Sequence, residues 1–579
     1  MLTVLRVQLP SDVSVVGCEI APCVLLGWPN GSISSDDVLQ LYPHNKYSIM
    51  YKWYRDQGDQ KAIVCSMHPN QQATLQCLVC LKEKVPIAKS YHCTTKCLSD
   101  AWQHHRSLHD QAKKTLKDLR AAEAQLFGCF NGSDDTISMC PTTATKKGGE
   151  AWSLVGLSKA YTPTSNDINH VLKLDCVAID METRRPVGNI ITVFTSRVIP
   201  APSPTPRHMI PVNGDLLGQL DINGQMYLGN FSVLSYNILS DAVATNELYS
   251  YCPTWALSWP YRRQNLLQEI IGYHADILCL QEVQNDHFEE FFGPELEKHG
   301  YQAVFSKCSS EVYDGKPNTL DGCATFFRRD RFSLVKKYEL DFNKAAQSSP
   351  EAPKKVDLVS LTKNNIALVL VLERKLTEFG VHNPRKKNLI CVANTHVNVK
   401  QEREDIKLWQ VLTLLRGLEN ISLYADIPML VCGDFNSVPG STPHALLANG
   451  SVDQLLSDLA VDPVGNVLPV RKLTHQLPLV SAYSSFARMA GANPGLQQQR
   501  RRMDASTHEP LFTNFTRDFV GTVDYIFYTA DSLSVESLLE LVAQEDLHKN
   551  TAIPSPEWSS DHIALLAEFR CKPRHRDKT

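Results

Sequence analysis

PMLVCGDFN (428–436) sets an apolar run, Met429 to Cys432, directly before Gly433 and then Asp434 and Asn436. An apolar run of this length bounded by turn formers reads as a buried strand. A polar side chain placed where such a strand stops is held by a rigid scaffold while still reaching solvent. The same arrangement recurs in both directions. Asn237 ends FSVLSYN, Glu282 follows ADILCLQ, His396 ends LICVANTH, Asp524 opens DYIFY, and Asp561 and His562 close EWSSDH. One such residue is ordinarily a cap or a turn former. A set of carboxylates, amides and imidazoles all at strand ends predicts a single shared site.

Between these strands lie helical patterns. PYRRQNLLQEIIGYH (260–274) has apolar residues at helical spacing behind Pro260. EREDIKLWQVLTLLRGLENI (402–421) carries Ile406, Trp409, Leu412 and Leu415 on one face with acids early, and Trp409 reads as core filler. Short strands alternating with helices predict one large α/β domain over 228–572. IPAPSPTPRHMIP (199–211) begins an expected interdomain linker, 199–227. NKAAQSSPEAPKK (343–355) and AGANPGLQQQRRRMDASTHEP (490–510) read as exposed loops, and Arg500 to Arg502 as a solvated basic run or a nucleic-acid contact.

A chain of 579 residues is too long for one core, and its 43% apolar content suffices for globular folding. No stretch approaches the roughly 18 apolar residues of a membrane helix, so no membrane partner is expected. The N-terminus lacks a signal-peptide layout. Cys279, Cys391 and Cys432 fall inside expected buried strands, which suits a reducing compartment, cytoplasm or nucleus. With a net charge of -4 there is no global pull on nucleic acid, so a polyanion must be held locally.

The first 200 residues hold two strand-rich pieces, 1–60 and 150–198, around a Cys/His cluster. YKWYRD (51–56) and KAYTPTSNDINHVLKLDCVAID (159–180) resemble strands of immunoglobulin-like repeats, which implies a β-sandwich with an inserted module. The insert, 65–109, runs Cys65-x2-His68, Cys77-x2-Cys80, Cys93-x3-Cys97, His105-x3-His109. Four close pairs supply two closed tetrahedral Zn2+ sites, and metal binding would provide the folding free energy of so short a segment. The order, with Trp102 in CLSDAWQHHRSLH, resembles the MYND zinc finger. That likeness implies that the first and third pairs hold one zinc and the second and fourth the other. His92 and His104 are rival ligands. MYND fingers bind proline-containing peptides, which implies a protein partner rather than catalysis.

Phosphodiester hydrolysis needs an in-line water, counter-charge for the phosphorus centre and help for the departing oxygen. Oxygen ligands suit Mg2+, which takes one or two carboxylates from protein and keeps its waters. The ordered segments LSYNIL, LCLQEV, NTHV, CGDFNS, GTVDYIFY and SSDHIALL resemble the endonuclease/exonuclease/phosphatase superfamily over about 228–572. The resemblance implies a four-layer α/β/β/α sandwich of two mixed sheets between helices. It also implies that Glu282 binds magnesium with Asn237 in support, while Asp434 activates water and can itself ligate metal. Asn436 would contact the scissile phosphate with His396 near it, His562 would stabilise the transition state, Asp524 would orient His562, and Asp561 would occupy a common metal position.

LFTNFTRDFVGTVDYIFYTADSL (511–533) resembles the deadenylase branch, the carbon catabolite repressor protein four family, in its plant form. There Asn514 and Phe519 would contact the terminal adenine, as an amide and an aromatic face can; a Phe519 merely buried is the alternative. Gln401 stands where animal and fungal members carry a proline, and no Glu precedes DGCATFF in the expected place. The likeness implies a Mg-dependent 3′→5′ exoribonuclease acting on the mRNA poly(A) tail and releasing AMP. Without a leucine-rich repeat, the zinc finger is the expected dock for the DEDD-type deadenylase subunit of the general deadenylase complex. The rivals are a phosphatase or phosphodiesterase of the same fold acting on another nucleotide, and a zinc-finger adaptor with an inactive nuclease.

Overall fold

The computed structural model describes residues 2–11, 13–41, 46–57, 65–68, 75–76, 89–93, 97, 101–102, 105–109, 152–202, 204, 206–212, 230–307, 321–348, 365–375, 388–424, 427–452, 473–488 and 494–572. The chain divides into two compact units, Met1–Pro200 and Ala201–Thr579. No helix among the described residues is long and apolar enough to cross a membrane.

The second unit is built on two sheets. The seven-stranded sheet has the order Met209–Pro211, Leu533–Leu539, Leu565–Cys571, Asn230–Asn237, Ile277–Gln284, Asp321–Arg328, Tyr301–Lys307. The six-stranded sheet runs Phe332–Asp341, Ile366–Arg374, Leu389–His396, Met429–Asp434, Asp524–Thr529, Leu479–Ser481. Val233, Ile277 and Cys279 of the first sheet share one apolar core with Leu368, Val392, Leu430 and Cys432 of the second. The outer face of the first sheet is covered by Trp259–Gly272, which brings Leu266 and Ile270 against Leu234 and Leu278. Glu404–Tyr424 covers the other sheet, with Ile406, Trp409, Leu412 and Leu415 all buried as their spacing predicts. The layers are therefore α/β/β/α.

Each sheet is centred on one parallel pair: Asn230–Asn237 beside Ile277–Gln284, and Leu389–His396 beside Met429–Asp434. A parallel pair needs a long crossover, here the covering helix, and its two strands finish at the same edge. Asn237 lies opposite Gln281 and His396 opposite Asp434, so the polar termini of each pair share one rim.

Two stretches differ from their sequence reading. Met209–Pro211, inside the expected linker, is an edge strand paired with Leu533–Leu539. Arg207 beside it donates to the carbonyls of Glu540 (2.7 Å) and Ala564 (2.9 Å), so side-chain anchoring outweighs a Pro-rich composition. Pro494–Arg501, inside an expected loop, is a helix. Gln499 is buried and accepts the Leu541 amide at 2.7 Å, and Arg502 pairs with Glu540 at 3.3 Å. The basic run is thus partly spent on the protein's own surface.

In the first unit, Tyr47–Asp56 pairs with Trp152–Gly156 on one side and Val171–Asp180 on the other, with Pro186–Arg197 beyond. Trp53 is fully buried there, stacks on Tyr161 at 5.6 Å and donates to the Ser158 carbonyl. Leu172, Leu174 and Cys176 share its core with Val4, Val24 and Leu26 of a second, three-stranded sheet.

Candidate active site

The Asp434 strand reaches the rim through Gly433, whose φ is +145°. A Cβ at that position would lie 1.9 Å from the Thr395 carbonyl oxygen, so only glycine lets the two central strands of this sheet approach so closely. In the other sheet, Ile277–Gln284 carries a bulge between Leu280 and Val283, and Glu282 within it has φ +57°. Bulges re-aim side chains at sheet rims; this one turns Glu282 toward the second sheet.

There the two halves meet. The Asn237 amide donates to Glu282 Oε1 (2.9 Å) and to Asp434 Oδ2 (3.0 Å), joining carboxylates from different sheets. Glu282 Oε2 accepts the Ser240 amide at 2.8 Å. His396 Nε2 lies 3.5 Å from Asp434 Oδ2 and 3.9 Å from Glu282 Oε1. Donor atoms of Glu282, His396 and Asp434 lie within 4.8 Å of one another, as do those of Asp434, Asp524 and His562. The Asp524 carboxylate accepts from His562 Nδ1 at 2.7 Å, which leaves Nε2 facing Asp434 Oδ2 at 3.7 Å.

Charge in this pocket is strongly coupled. Burial, then the neighbouring Asp524 carboxylate, pushes Asp434 up to about 6. Burial opposes a charged His562, but Asp524, Asp561 and Asp434 outweigh it and hold the imidazolium well above its ordinary value. Desolvation of the half-buried Glu282 would raise it, yet His396 and the Ser240 and Asn237 donors keep it below its ordinary value. Among the described residues Asp524 Oδ1 and Asp561 Oδ1 are buried with no hydrogen-bond partner. Such orphaned oxygens are expensive unless a cation meets them. A hard divalent ion of magnesium type fits this oxygen-rich donor set.

Two expected substrate contacts are partly engaged. Asn436 (φ +48°) donates to the Val397 carbonyl at 3.0 Å and sits 3.1 Å from His396 Nε2, so it steadies His396. Asn514 gives its amide nitrogen to Asp561 Oδ2 at 3.2 Å. It lies opposite Gly521 in a two-stranded hairpin, and the Phe519 ring covers Gly521, where an added Cβ would sit 2.9 Å from the ring tip. A bridge between Asn514 and His562 attaches that hairpin to the site.

Several neighbours escaped the sequence reading. Tyr249 donates to Asp561 Oδ2 at 2.9 Å, and it lies in a loop with no strand-end signal. Arg262, fully buried, donates to the Ile238 and Ser559 carbonyls (2.9 Å each), tying the loop after Asn237 to the one before Asp561. Asp321 opens its strand as a rim acid, and burial followed by the Glu282 charge raises it to about 6. Its strand-end position was the available signal.

In the first unit Cys65, His68, Cys93 and Cys97 converge, with Cys65 Sγ 3.6 Å from Cys97 Sγ and His68 Nδ1 3.4 Å from the Sγ atoms of Cys93 and Cys97. Four ligands at about 2.3 Å from one tetrahedral ion would stand roughly 3.7 Å apart, so the set fits a zinc-sized ion. His105 and His109 lie with ring centres 4.8 Å apart, and His92 is 4.9 Å from His105. Cys77, Cys80 and His104 lie outside the described residues.

The layered fold and this rim cluster define a phosphoester-cleaving enzyme class, and the chain matches the Endonuclease/Exonuclease/phosphatase family over residues 234–562. It belongs to that family, and within it the chain is a nuclease of the carbon catabolite repressor protein 4 group. It is 59% identical over 598 residues to carbon catabolite repressor protein 4 homolog 1 of Arabidopsis thaliana, covering 100% of this chain and 99% of that protein. The CCR4-Not complex 3′-5′-exoribonuclease subunit Ccr4 of Mycosarcoma maydis is 32% identical over 65% of this chain and 56% of its own length. A crystal structure of ANGEL2, a 2′,3′-cyclic phosphatase, aligns at 30% identity with a TM-score of 0.48, over 63% of this chain and 99% of that one.

Proposed function

We propose that the chain is a magnesium-dependent 3′→5′ exoribonuclease that shortens mRNA poly(A) tails and releases AMP, as catalytic subunit of a general deadenylase complex. The observation that carries this reading is the junction of Glu282, Asp434, Asp524 and His562 with the Asn514–Phe519 hairpin. The fungal relative named as a CCR4-Not exoribonuclease subunit supports the same direction.

Glu282 and Asp434 would hold the ion, with Asn237 spanning them and Asp561 contributing its unpartnered oxygen. Bound magnesium would polarise the scissile phosphate and offset the charge developing on it. Asp434, ionised at neutral pH yet raised in basicity, takes a proton from the attacking water. The water oxygen bonds to phosphorus, and the 3′ oxygen of the penultimate nucleotide leaves and is protonated. His562, kept cationic and aimed by Asp524, faces the phosphate oxygens through Nε2, with His396 beside them. A terminal base would stack on Phe519. With the Asn514 nitrogen committed to Asp561, its carbonyl oxygen is left to meet the base edge. An acceptor favours the exocyclic amine of adenine over the keto groups of uracil and guanine.

The strand-rich first unit is read as an immunoglobulin-like sandwich carrying a MYND-like finger. Cys65, His68, Cys93 and Cys97 would hold one Zn2+, and Cys77, Cys80, His105 and His109 the other. The finger docks the DEDD-type subunit, in cytoplasm and nucleus. The test pairs Glu282→Ala and Asp434→Ala with a substrate panel. Both variants should stay folded and lose hydrolysis, and the parent should prefer oligo(A) to oligo(U), oligo(G) and abasic DNA. Retained activity in both variants, or a preference for oligo(U), would refute the assignment.

A further inference from the structure

The site is split between two sheets whose shared core is apolar. Burial of apolar surface is non-directional; it presses the sheets together without specifying how far one slides over the other. Among the polar links between the sheets, one is a pair of amides inside that core. Gln281, on the strand of Glu282, donates from Nε2 to Asn394 Oδ1 at 2.8 Å, and Asn394 lies on the strand that ends in His396. Asn394 Nδ2 returns to the first sheet, within 3.1 Å of the Leu280 carbonyl, 3.0 Å of the Ala324 carbonyl and 3.3 Å of Thr325 Oγ1. Gln281 Nε2 also reaches the Cys279 carbonyl at 2.9 Å and Ser235 Oγ at 3.4 Å. Both side chains are fully buried.

The place of this link is informative. Leu280 and Ala324 are opposite one another and are the last pair before the bulge that turns Glu282 to positive φ. The Asn394 amide thus reaches across from the other sheet to two carbonyls at the bulge. Gln281 retains one orphan, since its Oε1 is buried with no hydrogen-bond partner among the described residues. Two amides inside an apolar core, one left incompletely satisfied, are a poor choice for stability alone, because apolar residues of the same volume would avoid the desolvation penalty. Hydrogen bonds add what apolar packing lacks: a fixed register.

We infer that Gln281 and Asn394 are a positioning pair that sets the distance between the Glu282 half and the His396–Asp434 half of the site. The inference rests on the reading of that cluster as the metal-dependent hydrolytic centre. Neither residue touches substrate. Gln281 acts through Glu282, the next residue within the bulge, and Asn394 through His396, two residues further along its strand.

The experiment uses the full chain with Gln281→Met, Asn394→Leu and the double variant, all close in volume to the parent. Two readouts are taken: Mn2+ affinity by electron paramagnetic resonance, and kcat and KM on oligo(A). The expected result is Mn2+ binding weakened at least about fivefold and kcat lowered at least about tenfold, with KM within about threefold. The double variant should be no worse than the poorer single one, since either change breaks the same bridge. Unchanged Mn2+ affinity and kcat in a folded variant, even one with a lowered melting midpoint, would overturn the inference by showing that the bridge only packs the core. Should the apolar variants fail to fold, Gln281→Glu and Asn394→Asp carry the same test, each keeping its shape while losing its donor. A parent that binds Mn2+ but leaves oligo(A) intact would refute the deadenylase reading while the Mn2+ comparison still decides the bridge. A parent that binds no Mn2+ would overturn both.

Discussion

Replacing Asp434 with asparagine should abolish hydrolysis and yet stabilise the magnesium-free protein. Burial and Asp524 raise this carboxyl from 3.8 to about 6 in the folded state. Below pH 3.8 both folded and unfolded chains keep the proton, and the contribution to stability is fully present. As pH rises through about 6 the folded state must release a proton it holds more tightly than the unfolded chain, and that stability is lost. A rise from 3.8 to about 6 is worth about 3 kcal/mol at ~1.4 kcal/mol per pH unit. The carboxamide oxygen of the D434N variant could still accept the Asn436 amide, which in the parent bonds Asp434 Oδ1 at 2.8 Å, but an NH2 group then stands where Oδ2 accepted from Asn237, and that hydrogen bond is lost. That loss returns about 1 kcal/mol, and His562 loses a counter-charge. The net gain at pH 7.5 is about 1–2 kcal/mol, a rise of a few degrees in melting midpoint by calorimetry. Saturating magnesium should reverse the order, adding about 2–3 kcal/mol to the parent at a hundredfold excess over Kd and little to D434N. A lowered midpoint for D434N without magnesium, or an equal magnesium response in both, would refute the account of this carboxylate.

Phe519 is half-buried and rests on Gly521, so Phe519→Ala should barely move the melting midpoint. It should raise KM on oligo(A) by the loss of roughly 1–3 kcal/mol of stacking, measured by steady-state kinetics with the parent alongside. Gly433→Ala meets both the Thr395 carbonyl and a φ of +145°, and should cost upward of ~4 kcal/mol by denaturant titration; a loss below about 1 kcal/mol would contradict the strand approach described. Cys93→Ser should release one zinc per chain by atomic absorption while leaving nuclease rates on oligo(A) within about twofold, because a closed site has no open position for chemistry.

The rim of polar strand ends was legible because Asn237, Glu282, His396 and Asp434 each follow a short apolar run and Asp524 opens one. Asp434 joins the Glu282 and His562 groups as their strand-end positions led one to expect, and the helix over Glu404–Tyr424 shows in its apolar stripe. What was hidden depends on contacts distant in the chain. Gln281 and Asn394 sit inside strand text and have meaning only across the gap between sheets. Tyr249 belongs to a loop whose position is decided by Asp561, 312 residues later. The Pro494–Arg501 helix looks like a solvated tract until Gln499 meets the Leu541 amide. Asp321 opens DGCATFF as a strand-end acid, but only the fold brings it close enough to feel the Glu282 charge.

The most direct measurement follows a 5′-labelled RNA bearing a defined run of 3′ adenosines, incubated with the full chain with and without magnesium and resolved at single-nucleotide steps. The proposed deadenylase activity predicts a descending ladder with 5′-AMP as the released product, strict need for magnesium, slowing where the adenosines end, and no ladder with Asp434→Asn. Internal cleavage, a released 3′-phosphate, or equal trimming of a uridine tail would contradict it.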